Sequence, residues 1–254
     1  MIELSRRLQA VADLVTPGSR LADVGCDHGY LSIYLVQSGK VPHSIAMDVN
    51  RGPLLRAQEH IRQYGLEEYI ETRLSDGLTR LKAGEADTLV LAGMGGPLME
   101  KILEEGREAL AGMGEMILQP QSEIPAFRRY LQEQGYCIAG EDMVWEEGKY
   151  YPIMRAVPGK MHWERAIDFR YGRHLLEAGH PVLMQYLQEE EQGLRSLEEH
   201  LQRAADAQGG SPRARERLKQ IREELAEVEE AKAYEKRGGN HKSPGAALAQ
   251  ESGL

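Results

Sequence analysis

Apolar and polar positions change their period several times along the chain. From Leu4 to Val15 the apolar residues Leu4, Leu8, Val11, Ala12 and Val15 recur at helical spacing, which predicts a brace or lid helix ahead of the first strand. A short apolar strand opens residues 20–29 and runs into a turn, with a helix from about Leu31 to Val36. Further apolar runs over Ser44–Val49, Ile70–Leu74, Asp87–Leu91 and Glu115–Leu118 read as strands, and about Gly52–Tyr64 and Pro125–Gln134 read as helices. Alternation of this kind predicts a mostly parallel sheet with helical crossovers. Tyr136–Val144 and Tyr150–Val157 are separated by Glu146-Glu147-Gly148, too little chain for a crossover, so the sheet is expected to end in an antiparallel hairpin.

After Pro158-Gly159 strand patterns vanish. Leu194, Leu197, Leu201 and Ala204, and again Leu218, Ile221, Leu225 and Val228, are spaced as coiled-coil seams. The glycines of Ala207-Gln208-Gly209-Gly210 stop one helix, and Ser211-Pro212 can cap and begin the next. The expected organisation is therefore α/β: a Rossmann-like domain over residues 1–158, an α-helical hairpin over 159–236, and a small, polar tail over 237–254 expected to be disordered. Heptads specify packing and not ligands, so the hairpin suits either oligomerisation or substrate binding.

The richest chemistry lies where strands meet turns. Asp23, Gly25, Asp27 and Gly29 form D-x-G-x-D-x-G, in which the glycines let backbone approach a ligand closely. A dinucleotide site wants G-x-G-x-x-G, and two loop carboxylates repel a pyrophosphate while suiting a sulfonium and an amino group. That pattern points to S-adenosylmethionine, although methyltransferase loops usually carry glycine where Asp27 stands; an ordinary strand-to-helix turn is the plainer alternative. Asp48 falls about 20 residues further on, the offset at which such folds place a carboxylate on ribose hydroxyls, while Asn50 reads as the cap of the next helix. Asp76-Gly77 ends the third strand, where a carboxylate can accept from an adenine amino group, or serve the turn alone. Gly93, Met94, Gly95 and Gly96 leave backbone bare beside the reactive end of that donor, room for a flat base, or else start the helix that Pro97 opens. His28 can touch the cofactor or act as a turn hydrogen-bonder.

Composition narrows the setting. The chain has 254 residues, 41% of them hydrophobic, and only two cysteines, Cys26 and Cys137, which fits a reducing cytoplasm. No metal-ligand spacing, leader pattern or membrane-length apolar run is expected. The net charge of −9 argues against a nucleic-acid partner unless cations cluster locally. Two groups qualify: Arg165, Arg170 and Arg173, then Arg213, Arg215, Arg217, Lys219 and Arg222, diluted by Glu216 and Glu223. Solvated helix faces also carry such charges.

Asp-Val-Gly-Cys-Asp-His-Gly-Tyr-Leu at 23–31, Ala-Gly-Met-Gly-Gly at 92–96, Leu-Gln-Pro at 118–120, Leu-Ser-Arg-Arg-Leu at 4–8 and the appended hairpin together resemble the bacterial tRNA (adenine22-N1)-methyltransferase family over about residues 1–235. The first two segments are the most specific; Ser32 stands where the family favours proline. The resemblance implies a class I methyltransferase sheet, S-adenosylmethionine as cofactor and N1 of an adenine in tRNA as acceptor. It implies donor contacts from Asp23, Gly25, Asp27, His28, Gly29, Asp48, Asp76, Gly77 and Gly93, and substrate contacts from Arg7, Tyr30, Gly95, Gly96, Arg213, Arg215, Arg217 and Lys219. N1 has an in-plane lone pair and can attack a sulfonium methyl directly, so no general base is assigned. A cytoplasmic monomer, without metal or membrane, is expected. The alternatives are a methyltransferase of small molecules or proteins whose hairpin oligomerises, and a nucleotide-binding module without activity.

Overall fold

The structure, a computed structural model, describes residues 2–206 and 212–234. Seven strands form one sheet: β1 Leu21–Val24, β2 Ser44–Asp48, β3 Ile70–Leu74, β4 Thr88–Met94, β5 Glu115–Pro120, β6 Tyr136–Glu146 and β7 Lys149–Pro158. Their order is β3-β2-β1-β4-β5-β7-β6. The first five are parallel, β7 runs antiparallel to β5, and β6 antiparallel to β7. Strand side chains alternate between faces, and here both faces are apolar. Leu89, Leu91, Met116 and Leu118 enter one layer with Met99, Leu103 and Phe127, whereas Val90 and Ile117 enter the other with Val11, Leu31, Leu35 and Ile153. Each such fully buried side chain contributes about 1.5–3 kcal/mol, which is why the central strands read as unbroken apolar runs.

Five helices cover the sheet: α1 Arg6–Leu14, α2 Tyr30–Gln37, α3 Arg51–Gln63, α4 Gly96–Glu105 and α5 Ile124–Glu133. The brace helix α1 starts at Ser5, whose hydroxyl accepts from Leu8 N at 3.3 Å, while Glu146 on β6 accepts from Arg6 N at 2.7 Å. Its entry is thereby tied to the tip of the β6–β7 hairpin.

Three expectations need correction. Strand β4 continues to Met94 instead of stopping at Leu91, because a bulge between Ala92 and Met94, with Gly93 at φ +81°, carries the pairing with β5 past the first glycine. The β6–β7 turn is two residues, Glu147-Gly148, both at positive φ, which matches the twist of the flanking strands and extends the ladder to Glu146 and Lys149. Asn50 holds the cap position of α3 but its side chain makes no capping bond; Asp48 Oδ1 accepts from Asn50 N at 2.7 Å instead.

Beyond β7 the chain first returns to the sheet. Met161, Trp163 and Phe169 are buried in the same core as Phe127 and Leu131. A π-helical turn over Asp168–Gly172 and α6, Arg173–Ala178, lead to the long helices α7, Pro181–Asp206, and α8, Pro212–Lys232. A buried ion pair holds this neck: Arg128 meets Glu141 at 2.8 Å, with side-chain exposures of 1% and 0%, and also donates to the carbonyls of Phe169 and Arg170. Gly172, at φ +94°, has no room for a side chain, since a Cβ there would lie 2.6 Å from Glu141 Oε1.

Helices α7 and α8 form the expected antiparallel hairpin. Glu191, Arg195 and Glu198 pair with Lys232, Glu229 and Arg222 respectively, so one helix ascends as the other descends. On α8 the seam is as read from the sequence, with Leu218, Ile221, Leu225 and Val228 all buried. On α7 it is displaced. Leu197 and Ala204 are exposed, and Glu198 and Ala205 face α8 in their place. The phase is set at the root, where Leu183 and Leu187 pack against Tyr171, Leu175 and Leu176. The tail from residue 235 and the connection over 207–211 lie outside the described residues.

Candidate functional site

Parallel pairing brings the carboxyl ends of β1–β5 to one edge of the sheet, and the loops leaving them gather there, where an open parallel sheet carries its ligand crevice. The loop after β1 is held from below: Gly25 N and Cys26 N both donate to Met47 O, at 2.8 and 3.0 Å. Gly25, Asp27 and Gly29 all adopt positive φ. Asp27, at φ +49°, thus takes the left-handed backbone that explains why glycine is usual there, and aspartate tolerates it better than most residues. A Cβ on Gly29 would come within 3.1 Å of Ala57 on α3, so this glycine also lets two helices pack closely.

Four predicted donor-site carboxylates converge on this edge in unlike states. Asp23 is buried under the loop, where Ser32 Oγ donates to it at 2.8 Å and Ser44 Oγ to Ser32 at 2.8 Å. Burial pushes its carboxyl up to about 6; the Ser32 hydrogen bond opposes that rise and the nearby Asp48 charge adds to it. Ser32 therefore links Asp23 to Ser44 through a buried chain of hydrogen bonds. Asp48 spends Oδ1 on Asn50, and no hydrogen bond among the described residues engages Oδ2. Asp27 and Asp76 are exposed. Asp27 Oδ1 lies 3.5 Å from His28 Nε2, and Gly77, at φ +53°, lets the Asp76 turn fit against Ile102. His28 and Tyr30 stack with centroids 5.5 Å apart, and Tyr30 stacks on His60 at 4.9 Å, with the His60 ring nitrogen 3.0 Å from His28 O. His60 is a member of this group that sequence spacing did not reveal.

Across the crevice stands the glycine-rich loop. Met94 reaches over to the first loop so closely that a Cβ on Gly25 would fall 2.2 Å from Met94 Cε. Gly95 caps α4 and Pro97 occupies its first turn, so the helix-start reading holds. Gly95 and Gly96 are bare for packing as well: a Cβ on either would sit 2.9 Å from Ser122 Oγ or 2.7 Å from Ser122 O. Gly93 is the exposed member, with Arg7 and Gln121 nitrogens as its side-chain neighbours. Arg7 Nη1 donates to Gln119 Oε1 at 3.1 Å, and its guanidinium lies 5.6 Å from the Tyr151 ring centre. Tyr150 points elsewhere, edge-on to Tyr186 at the root of α7.

The comparisons with known proteins bear on this crevice. A methyltransferase domain model matches residues 4–154. The tRNA (adenine(22)-N(1))-methyltransferase of Bacillus subtilis (strain 168) is 34% identical over 222 residues, covering 85% of this chain and 92% of that protein. The chain belongs to this family of tRNA adenine-N1 methyltransferases. The crystal structure of the B. subtilis M1A22 tRNA methyltransferase superposes with a TM-score of 0.78 at 32% identity, covering 91% of this chain and 100% of that one. Streptococcus pneumoniae Sp1610, solved in complex with S-adenosyl-L-methionine, superposes with a TM-score of 0.78 at 34% identity, with the same coverages. S-adenosylmethionine is the cofactor of the family; the exposed carboxylate of Asp27 carries the charge that suits its cationic end, Asp76 is exposed as well, and Asp48 Oδ2 makes no hydrogen bond among the described residues.

The predicted RNA contacts of the family member separate in space. Arg7 stands at the crevice, whereas Arg213, Arg215, Arg217 and Lys219 lie at the outer end of α8 and divide between two flanks, since residues two apart on a helix face nearly opposite ways. Arg215, Lys219 and Arg222 border one hollow with Leu218, Glu223 and Ala226, Lys219 lying 3.9 Å from Glu223, while Arg217 turns to Glu224 at 3.0 Å. The earlier trio is neutralised: Arg165 pairs with Glu230, Arg170 with Glu190 and Glu227, and Arg173 with Glu177. Among the described residues no cluster suits a metal ion, and no helix is long and apolar enough to cross a membrane.

Proposed function

We infer that this chain transfers the methyl group of S-adenosylmethionine to N1 of adenine 22 in tRNA, in the cytoplasm. Bound at the crevice, the cofactor supplies an electrophilic methyl on a sulfonium. Asp48 receives ribose hydroxyls on its free oxygen, Asp76 receives the adenine amino group of the donor, and Asp27 faces its cationic end. Asp23 and His28 support the loop whose glycines, Gly25 and Gly29, with Gly77 across the crevice, admit the donor close to backbone. Gly93 offers the bare surface against which the acceptor ring lies, Met94 bridges to Gly25, and Gly95 and Gly96 keep that loop pressed onto Ser122. Arg7 and Tyr30 flank the mouth; Arg7 carries the charge suited to the phosphate of the acceptor nucleotide. An adenine buried in a paired helix must first be flipped out.

Nothing here must act as a base, because N1 attacks through its own lone pair. Alignment of the two reactants carries the rate instead, an effect on the order of 7–11 kcal/mol. The observation supporting this reading most strongly is the set of carboxylates on one wall, Asp27 and Asp76 exposed and Asp48 Oδ2 without a hydrogen bond among the described residues, opposite a bare, donor-flanked Gly93. The arm adds affinity for the tRNA body without choosing the base.

Incubation with unmodified tRNA and labelled cofactor, followed by nucleoside mapping, should yield 1-methyladenosine at position 22; label elsewhere, or none, overturns the assignment. Asp48→Ala should weaken cofactor binding in calorimetry by about 1–3 kcal/mol if the ribose bonds form. Unchanged affinity removes Asp48 from the donor site.

A further inference from the structure

The bulge in β4 leaves a backbone group to be accounted for. Ala92 pairs with Gln119 and Met94 with Pro120, so Gly93 is the extra residue and its N–H falls outside the strand ladder. Gln119 takes up this amide from beneath the exposed glycine: its Oε1 accepts from Gly93 N at 3.1 Å. The same oxygen accepts from Arg7 Nη1 at 3.1 Å, and Nε2 donates to Pro120 O at 3.2 Å. Gln119 itself is completely buried. One carboxamide therefore joins three segments: the brace helix α1, the bulge near the end of β4 and the end of β5.

We propose that Gln119 is a positioning residue for methyl transfer, setting the acceptor surface at Gly93 and the guanidinium of Arg7 in one fixed relation. Its chemistry suits this role, because both lone-pair directions of Oε1 are taken by the protein. The acceptor base and its phosphate belong to one nucleotide, so their two supports on the protein must keep a constant spacing as the base enters. Gln119 supplies that constancy by holding both from a buried anchor. Arg7 is steadied from the other side by the Tyr151 ring, and among the described residues no second hydrogen bond engages its guanidinium, which leaves its other N–H groups to the RNA.

Gln119→Leu keeps the bulk and removes both acceptor bonds. Steady-state kinetics on tRNA should show kcat falling about 100-fold, the scale expected of misplaced reactants, with cofactor affinity within about threefold of the parent. Adding Arg7→Ala to Gln119→Leu should cost little more, because the pair acts as one unit. Gln119→Glu restores an acceptor for Gly93 N and Arg7, and should recover at least about tenfold of the lost kcat. In the absence of any RNA, the Gly93 amide should lose protection from hydrogen exchange in Gln119→Leu and keep it in Gln119→Glu. An undiminished kcat in Gln119→Leu, multiplicative losses in the double variant, or an unchanged Gly93 amide each overturn the proposal. If Gln119→Leu does not fold, Gln119→Glu and Arg7→Ala carry the same comparison. The turnover measurements rest on the tRNA-methyltransferase reading; the amide signal does not, so a parent enzyme inactive on tRNA would sink that reading while leaving the Gly93 tether decided separately.

Discussion

The mouth of the sheet and the helical arm use polar residues in opposite ways. At the mouth the polar side chains that hold the loops in place are buried and their partners are specific: Asp23 with Ser32, Gln119 with Gly93 and Arg7. On the arm the charged residues are solvated and pair with neighbours on helical spacing or across the seam, as in Arg195 with Glu191 and Glu229, or Arg222 with Glu198. Exposed pairs contribute about 0–1 kcal/mol each and fix register weakly, whereas a buried group that loses its partner costs several times more. Geometry precise enough for methyl transfer therefore belongs to the mouth, and the arm is free to vary in sequence while keeping its length and net pattern of charge.

The neck between these regions should give the largest response. Arg128→Ala leaves the Glu141 carboxylate buried without its cation and frees the carbonyls of Phe169 and Arg170. A loss of about 3–5 kcal/mol in unfolding free energy is expected, measured by denaturant titration. A loss below about 1 kcal/mol, within the range of surface pairs, would place Arg128 with the arm's charges and erase the contrast at its sharpest point.

Asp23 sharpens the comparison through pH. Its carboxyl is raised from an ordinary 3.8 to about 6, so the folded chain binds this proton more tightly than the unfolded chain does. Folding then takes up a proton between about pH 4 and 6, and the contribution of Asp23 to stability falls as pH rises through that window. The shift corresponds to roughly 2–3 kcal/mol. Asp23→Asn keeps an acceptor for Ser32, removes the buried charge, and should stabilise the protein at pH 7 while flattening its stability between pH 4 and 6. If the variant instead keeps the slope of the parent, the strain attributed to this carboxylate lies elsewhere.

How much of each region was legible follows from the same contrast. The strands were readable because both faces of the sheet are apolar, and the place of Asp48 at the end of β2 was readable from the same pattern. Gln119 was not, since a polar residue closing the run Met-Ile-Leu-Gln-Pro looks like the end of a strand unless one knows that β4 bulges beside it. On the arm, the seam of α8 was correctly phased, but that of α7 slipped by one residue at Leu197 and Ala204. Three- and four-residue spacings are both compatible with a helical seam, and the choice is made by packing at Leu183 and Leu187, more than two turns away. Helix α8 also shows a polarity hidden by the whole-chain charge. Residues 212–222 contain five basic residues and one acidic, while residues 223–232 contain five acidic and one basic.

That polarity yields the smallest of the expected effects and the one most particular to the arm. Roughly 25 Å of helix separates Arg215 from Lys232, so the cationic outer end can meet tRNA backbone while the acidic root repels it. Reversing Arg215 and Lys219 to glutamate alters one flank of α8 without touching its buried seam. The double variant should weaken tRNA binding about tenfold at low salt and make log affinity less steep in log salt by about 2, one for each lost phosphate contact. Cofactor affinity should stay unchanged, because nothing at the crevice is altered. Arg217→Glu, on the flank where Glu224 already holds the guanidinium, should reduce the salt slope little. Equal losses from both flanks would mean that the arm acts through general charge and not through a face. An unaltered salt slope in the double variant would assign tRNA affinity to the mouth alone, and the arm to a task that does not involve phosphate.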